Sequence, residues 1–194
     1  GVLRGVISQR LLPRVGGGRV AAVEVMVNNS RIGDLIRENK PEEITDAVAE
    51  GDFFHMQTFQ KALIDRVIEG ATLCNLSDVA LMRGDAASAL TLARSALDIL
   101  VSTQARDREL DAWLKLGEAE LALGRFDAAQ QSFEQMREQA LTLESPWRHD
   151  AVAGLARIAL AQGDDAKAVG ALGTVLAHSA AGGTLDGSVK PRLI

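Results

Sequence analysis

The sequence predicts a mainly α protein: an N-terminal β-hairpin followed by an α-α superhelix of about three helical hairpins. Three observations carry that prediction. Glycine-containing turns recur at Arg83-Gly84-Asp85, Leu123-Gly124-Arg125 and Gln162-Gly163-Asp164, at nearly equal intervals along the chain. Alanine is scarce in residues 1–70 and abundant in 71–194, 5 against 25. Its methyl side chain lets helices approach at no rotamer cost. Residues 1–70 are instead richer in β-branched residues and glycine, so strands are expected there.

Taken in order, Val6 to Leu12 forms a short apolar strand that Pro13 ends, and Gly16-Gly17-Gly18 supplies a flexible turn. Val20 to Val27 returns, with Val23, Val25 and Val27 on one face and Ala22, Glu24 and Met26 on the other. Both strands are apolar enough to expect further sheet partners. Asn28, Asn29 or Ser30 caps a helix running to about Asn39, with Ile32, Leu35 and Ile36 on one face. Pro41 opens the next helix, where its missing N–H costs nothing. Glu42 and Glu43 suit its dipole, and Ile44, Ala47 and Val48 form its buried stripe. A third helix is expected from Met56 to Glu69, with Phe59, Leu63, Val67 and Ile68 inward. Gly70 is expected to end it in the left-handed conformation. The domains predicted are therefore 1–70, 71–178 and a loop-like tail over 179–194.

The N-terminal part also resembles a known family. Gly5-Val6-Ile7-Ser8-Gln9-Arg10-Leu11-Leu12-Pro13-Arg14 is similar to the strand that follows the catalytic motifs of PilT-like type IV pilus retraction ATPases. Gly18-Arg19-Val20-Ala21-Ala22-Val23-Glu24-Val25-Met26 is close to the same family. Arg31 to Glu38 resembles its "IRNLIRE"-type helix, and Met56-Gln57-Thr58-Phe59-Gln60, with Ala62-Leu63, resembles its "GMQTFDQAL" segment. His55 stands where that family usually has glycine. The resemblance covers about residues 3–70 and implies the C-terminal part of a motor. The phosphate-binding string G-x-x-x-x-G-K-[ST] does not occur in the sequence. The family's acidic and histidine boxes are expected upstream of residue 1. The corresponding helix of the family is linked to retraction, which carries a role to Arg31, Asp34, Arg37 and Glu38; read as residues alone, they form a solvated face with i,i+3 charge pairs.

The second part resembles degenerate tetratricopeptide repeats over about residues 71–178. The middle repeat carries Trp113, Leu116, Gly117, Gly124, Ala129 and Phe133 in the order W-x-x-L-G…G…A-x-x-x-F. The first keeps Leu73, Leu76, Gly84, Ala89 and Ala96, and the third Val152, Leu155, Gly163, Ala168 and Leu172. The consensus tyrosine is replaced by Ala80, Glu120 and Ala159. The period exceeds the usual length of about 34, as in repeats of large bacterial signalling ATPases and transcriptional regulators. Trp113 and Phe133 read as core. The resemblance implies peptide binding in a concave groove on the first helix of each pair, with Cys74, Asp78, Leu114, Glu118, Leu121, Ala153 and Arg157 as its candidates. Acidic Asp78 and Glu118 there argue against a carboxylate clamp and for a basic or apolar peptide. The two resemblances together imply a fusion of two fragments.

Composition narrows the function classes. With 47% apolar and 24% charged residues the chain is globular, not disordered. No apolar run approaches the roughly 20 residues of a membrane span, and the N-terminus lacks a signal-peptide pattern, so a cytoplasmic protein with no membrane partner is expected. Net charge is −5, distributed as −1 before residue 71 and −4 after it, which disfavours nucleic acid. Cys74 is the sole cysteine, and His55, His149 and His178 have no second ligand at i+3 or i+4, so neither a disulfide nor a metal site is suggested. His149-Asp150 reads as the start of the third repeat. No acid/base pair or nucleophile stands out, and no enzyme activity or cofactor is expected. The expected function is a protein-interaction or scaffold module. The alternatives are a pilus-retraction-type ATPase remnant and a fusion without an evolved function. The apolar hairpin at residues 5–27 has open edges, which predicts self-association through it.

Overall fold

Strands β1 (Gly5–Pro13) and β2 (Arg19–Val27) pair antiparallel, with Gly5 opposite Val27 and Pro13 opposite Arg19. The computed structural model describes residues 2–13 and 18–180. The expected turn at Gly16-Gly17, the side chain of His178 and the tail from residue 181 onward lie outside the described residues. Helix α1 (Ser30–Arg37) starts where the Asn29 side chain accepts the Ile32 N–H at 2.9 Å. A short 3-10 turn at Pro41–Glu43 leads into α2 (Ile44–Ala49), and a second at Asp52–Phe54 ends at His55. Met26, Val27 and Ile44 pack on a small core of Ile32, Leu35, Ala47, Val48 and Met56. Ile36, expected on that face, is exposed, because the core covers only the Ile32–Leu35 side of α1.

The largest departure from expectation is α3, which runs without a break from Phe59 to Met82. Gly70 does not end a helix. It is buried, and a Cβ built on it would sit 2.7 Å from Leu100 Cγ. The glycine is a notch that seats the side chain of the next helix. The expected boundary at Glu69-Gly70 therefore falls inside one helix. Ile68, expected inward, lies on the exposed side of α3, as does Leu76.

Beyond α3, α4 (Ala86–Ser102), α5 (Arg106–Ala122), α6 (Phe126–Thr142), α7 (Arg148–Ala161) and α8 (Asp165–Ala180) follow. They pack as consecutive hairpins, α3 on α4, α5 on α6 and α7 on α8. The first helices also touch one another, α3 on α5 and α5 on α7. The fold is thus mainly α, a helical-hairpin superhelix with an N-terminal β-hairpin. Among the described residues no helix is long and apolar enough to cross a membrane.

Each hairpin turns at a left-handed glycine, Gly84 (φ 77°), Gly124 (φ 69°) and Gly163 (φ 79°). In each, the residue after the glycine donates its N–H back across the helix end: Asp85 to Ala80 O, Arg125 to Glu120 O and Asp164 to Ala159 O, all 2.9 Å. Each of these carbonyls also accepts the N–H three residues on, from Arg83, Leu123 and Gln162 at 3.1–3.2 Å, so the closure completes the helix end. The turns between hairpins use the same closure with Gln104 (φ 57°) and Glu144 (φ 51°) at the left-handed position. Phe133, fully buried on α6, lies against Gly117 of α5 and Gly154 of α7. Its position confirms the core reading, and Trp113 packs partly buried against the clusters on both sides of it.

A Cβ on Gly154 would meet the Phe133 ring at 2.5 Å, whereas one on Gly170 of α8 would meet nothing within 4 Å. Gly154→Ala is expected to cost about 1–3 kcal/mol by overpacking, and Gly170→Ala to add about 0.5–1 kcal/mol through helix propensity. Urea denaturation of both variants checks the pair. His55 is exposed and left-handed (φ 56°), so His55→Gly should stabilise by about 0.5–1 kcal/mol in the same measurement.

Candidate functional site

The turn glycines fix a common phase for the first helix of each hairpin. Asp78, Glu118 and Arg157 each stand six residues before Gly84, Gly124 and Gly163. Equivalent positions on stacked helices fall on one face, and the structure brings these three together. With Leu81, Met82 and Ala122 they line a groove of about 510 Å³ across α3, α5 and α7. Arg157 Nη1 bonds Glu118 Oε1 at 3.0 Å. Lys115, whose side chain is 6% exposed, places its Nζ 2.7 Å from Asp78, 3.7 Å from Asp111 and 4.0 Å from Glu118. A chain of alternating charge thus ties the three first helices together, from Asp78 through Lys115 and Glu118 to Arg157.

The other candidates from the groove set divide. Cys74, Leu114 and Ala153 stand ten residues before their glycines and are buried, so they do not line the groove. Four residues further back rotates a side chain about 40° around the helix, out of the groove and into the seams between helices. Cys74 joins the α3–α4–α5 core, and burial pushes its thiol up to about 12, reinforced by neighbouring Asp111. A thiol so held is a poor nucleophile at neutral pH. Leu121 is half-buried against the Phe133 cluster.

Sequence reasoning missed Leu81, Met82, Ala122 and Lys115. Met82 and Ala122 share the position two before the glycine, which the repeat phase reveals once the groove is seen. It also missed a cavity of about 700 Å³ between α4, α5 and α6, lined by Arg94, Leu97, Trp113, Leu116, Glu120 and Ser132 among others. Glu120 is buried there, accepts from Ser132 Oγ at 2.7 Å and lies 3.7 Å from Arg94 Nη2. Its signal is the replacement, by a carboxylate, of the alanine found at the same position in the other two repeats. The concave groove is the better candidate because three independent repeats contribute to it.

The pilus-ATPase-like positions occupy an exposed surface of α1 and the residues just after it. Arg37 pairs with Asp34, Arg31 with Glu50, and Glu38 with Lys40 at 2.8 Å. They form a solvated face of local ion pairs, distant in the chain from the groove. His149 and Asp150 are both buried at the start of α7.

With the geometry in place, the comparisons with known proteins concern one part of the chain. No family model matches it. The chain is 43% identical over 68 residues to the type IV pilus retractation ATPase PilT of Pseudomonas aeruginosa, which is 35% of this chain and 20% of that protein. It is 41% identical over 69 residues to the twitching motility protein of Neisseria gonorrhoeae, 35% of this chain and 18% of that one. It is also 40% identical over 70 residues to the uncharacterized protein YggR of Escherichia coli K12, 36% and 22% of the two chains. A PilT-like segment is present. The chain spans about a fifth of the length of these relatives. The left-handed backbone at His55 agrees with the glycine expected there in PilT-like proteins.

Glu109, buried at the start of α5 beside Gln139 of α6, is held above the ordinary carboxylate range by burial, against the pull of Arg106 and the Gln139 bond. The native state therefore binds this proton more tightly than the unfolded chain, and stability falls as pH rises from the ordinary value through the raised one. Glu109→Gln should raise Tm at pH 7, and thermal melts below the ordinary value of 4.5 should show no advantage.

Proposed function

We propose that the chain is a non-catalytic protein-interaction or scaffold module of tetratricopeptide-like repeats, seating a short partner segment in its concave groove. The observation that carries this reading is the convergence of Asp78, Glu118 and Arg157 from equivalent repeat positions beside Leu81, Met82 and Ala122. Met82 is 87% exposed at the groove edge, an apolar and adaptable side chain of the kind that partner surfaces use. Lys115 and Glu118 are nearly buried in their ion pairs, whereas Asp78, which also pairs with Lys115, keeps a side chain 41% exposed. A partner segment with apolar residues and one Lys or Arg suits that arrangement, through burial on Met82 and Leu81 and a charge-assisted bond to Asp78.

Panning a displayed peptide library on the purified chain tests this. Enrichment of apolar peptides carrying Lys or Arg is expected, with affinity falling about tenfold or more in Met82→Asp, whose Tm holds, and in Asp78→Asn, whose Tm falls as well because buried Lys115 loses its nearest carboxylate. Peptides that bind both variants as well as the parent, or no enrichment, would sink the groove reading.

A second reading, a remnant of a pilus-retraction-type ATPase, is favoured by the 43% identity over 68 residues. The missing phosphate-binding string weighs against nucleotide turnover by this chain. Thermal-shift titration with Mg-ATP separates the two, since a ligand of the folded state raises stability by mass action. No shift is expected, and a saturable one would favour the ATPase reading.

A further inference from the structure

Helices α4 and α6 both pack on α5 and scarcely touch each other. The cavity of about 700 Å³ lies between them, with α5 as its floor. Three residues make this seam unlike the rest of the stack. Counted from the turn glycine, Trp113 stands where the other two repeats have Leu73 and Val152. Glu120 stands where they have Ala80 and Ala159, and Ser132 where they have Leu92 and Ala171. The middle repeat alone thus places polar groups at three positions that are apolar elsewhere. The Glu120 side chain is 6% exposed, and Ser132 Oγ donates to its Oε2 at 2.7 Å. Its other oxygen, Oε1, has Arg94 Nη2 at 3.7 Å, past hydrogen-bond length, on a side chain 59% exposed. A carboxylate buried to this degree is costly unless a cation bonds it. The indole N–H of Trp113 is also buried and has no acceptor among the described residues. Leu97 and Leu116 add apolar wall, and the lining carries two carboxylates, Asp98 and Glu120, against the single cation of Arg94.

We propose that this cavity binds a small organic ammonium that carries an apolar body and an acceptor oxygen. The ammonium bonds Glu120 Oε1 and takes the place of Arg94, whose exposed side chain swings out to water. The apolar body lies on the Trp113 ring, Leu97 and Leu116, and the oxygen accepts the Trp113 N–H. Each part of the ligand answers a feature of the wall: a buried carboxylate oxygen without a hydrogen bond, an indole donor without an acceptor, and an apolar lining. Such a pocket, mostly apolar with a few placed polar groups, is of the size that small ligands occupy. The charge-assisted bond to Glu120 supplies most of the selectivity, because a neutral ligand leaves the carboxylate as it is. The cavity is independent of the concave groove. Glu118 of the groove stands two residues from Glu120, about 200° around the helix, so the two sites lie on opposite sides of α5.

Nitrogen-15 NMR of the intact chain, titrated with tyramine, tests the proposal. Trp147 is the other tryptophan, so Trp147→Phe assigns the indole signal of Trp113. That signal should shift saturably with tyramine and stay still with tyrosol, which has a hydroxyl in place of the ammonium. Glu120→Gln should weaken binding at least about tenfold with the amide spectrum otherwise preserved. Arg94→Ala should tighten it, since the competing cation is gone, a gain that general loosening of the fold does not give. A blocked Leu-Lys-Leu peptide, run beside tyramine, separates the two sources of an ammonium: tighter binding of the peptide assigns the site to a lysine of a protein segment, and tighter binding of tyramine to a free amine. Saturation by neither overturns the proposal. So does binding that tyrosol shares or that Glu120→Gln leaves intact, and weaker binding in Arg94→Ala would overturn the displacement.

Discussion

The seating of large side chains against glycines on the first helix of each hairpin governs the rest of the architecture. Leu100 presses on Gly70, and Phe133 lies between Gly117 and Gly154. Each glycine removes the Cβ that would hold the helices apart, at a cost in helix propensity of about 1 kcal/mol that close packing more than offsets. The Gly70 contact has the widest reach. It lies in the middle of α3, whose first turns carry the PilT-like segment and whose last turns carry Asp78 of the groove. The ring of Phe59 at the start of α3 also lies 4.5 Å from the Arg10 guanidinium of β1. One helix therefore couples the two chemically different parts of the chain.

The groove follows from phase. Because each hairpin reverses at a left-handed glycine with the same backbone closure, counting back from that glycine gives the same helix face in every repeat. Six residues back lies the groove, and ten back lies the interior. The alternating charges of Asp78, Lys115, Glu118 and Arg157 tie the first helices together, and Asp78, Glu118 and Arg157 share the groove walls with Leu81, Met82 and Ala122. Lys115 shows why the charges persist so close to the core: three carboxylates surround an ammonium whose side chain is nearly inaccessible to water. Removing one partner of such a group is costlier than the pair is stabilising.

Much of this was legible in the sequence because it rests on local chemistry. The Asn29 cap, the Pro41 start, the turn glycines and the alternation of Val23, Val25 and Val27 are each set by the conformational preferences of the residues concerned. Gly70 was not legible, since a glycine in a helical pattern is equally a stop or a notch, and only the Leu100 side chain, from the far end of the following helix, decides between them. Cys74, Leu114 and Ala153 failed as groove residues for a geometric reason, since the groove is narrower than the helix face assigned to it. The buried carboxylate of Glu120 and the ammonium of Lys115 depend on partners in other helices, which spacing within one helix does not reveal.

The most direct test of this account is native-state hydrogen exchange across Phe59–Met82. If Gly70 is a packing notch within one helix, amides of residues 66–74 should exchange as slowly as those of the flanking turns, and Gly70→Ala should accelerate exchange in α3 and α4 together. Fast exchange confined to the residues around Gly70, with the two halves of α3 opening independently, would contradict it.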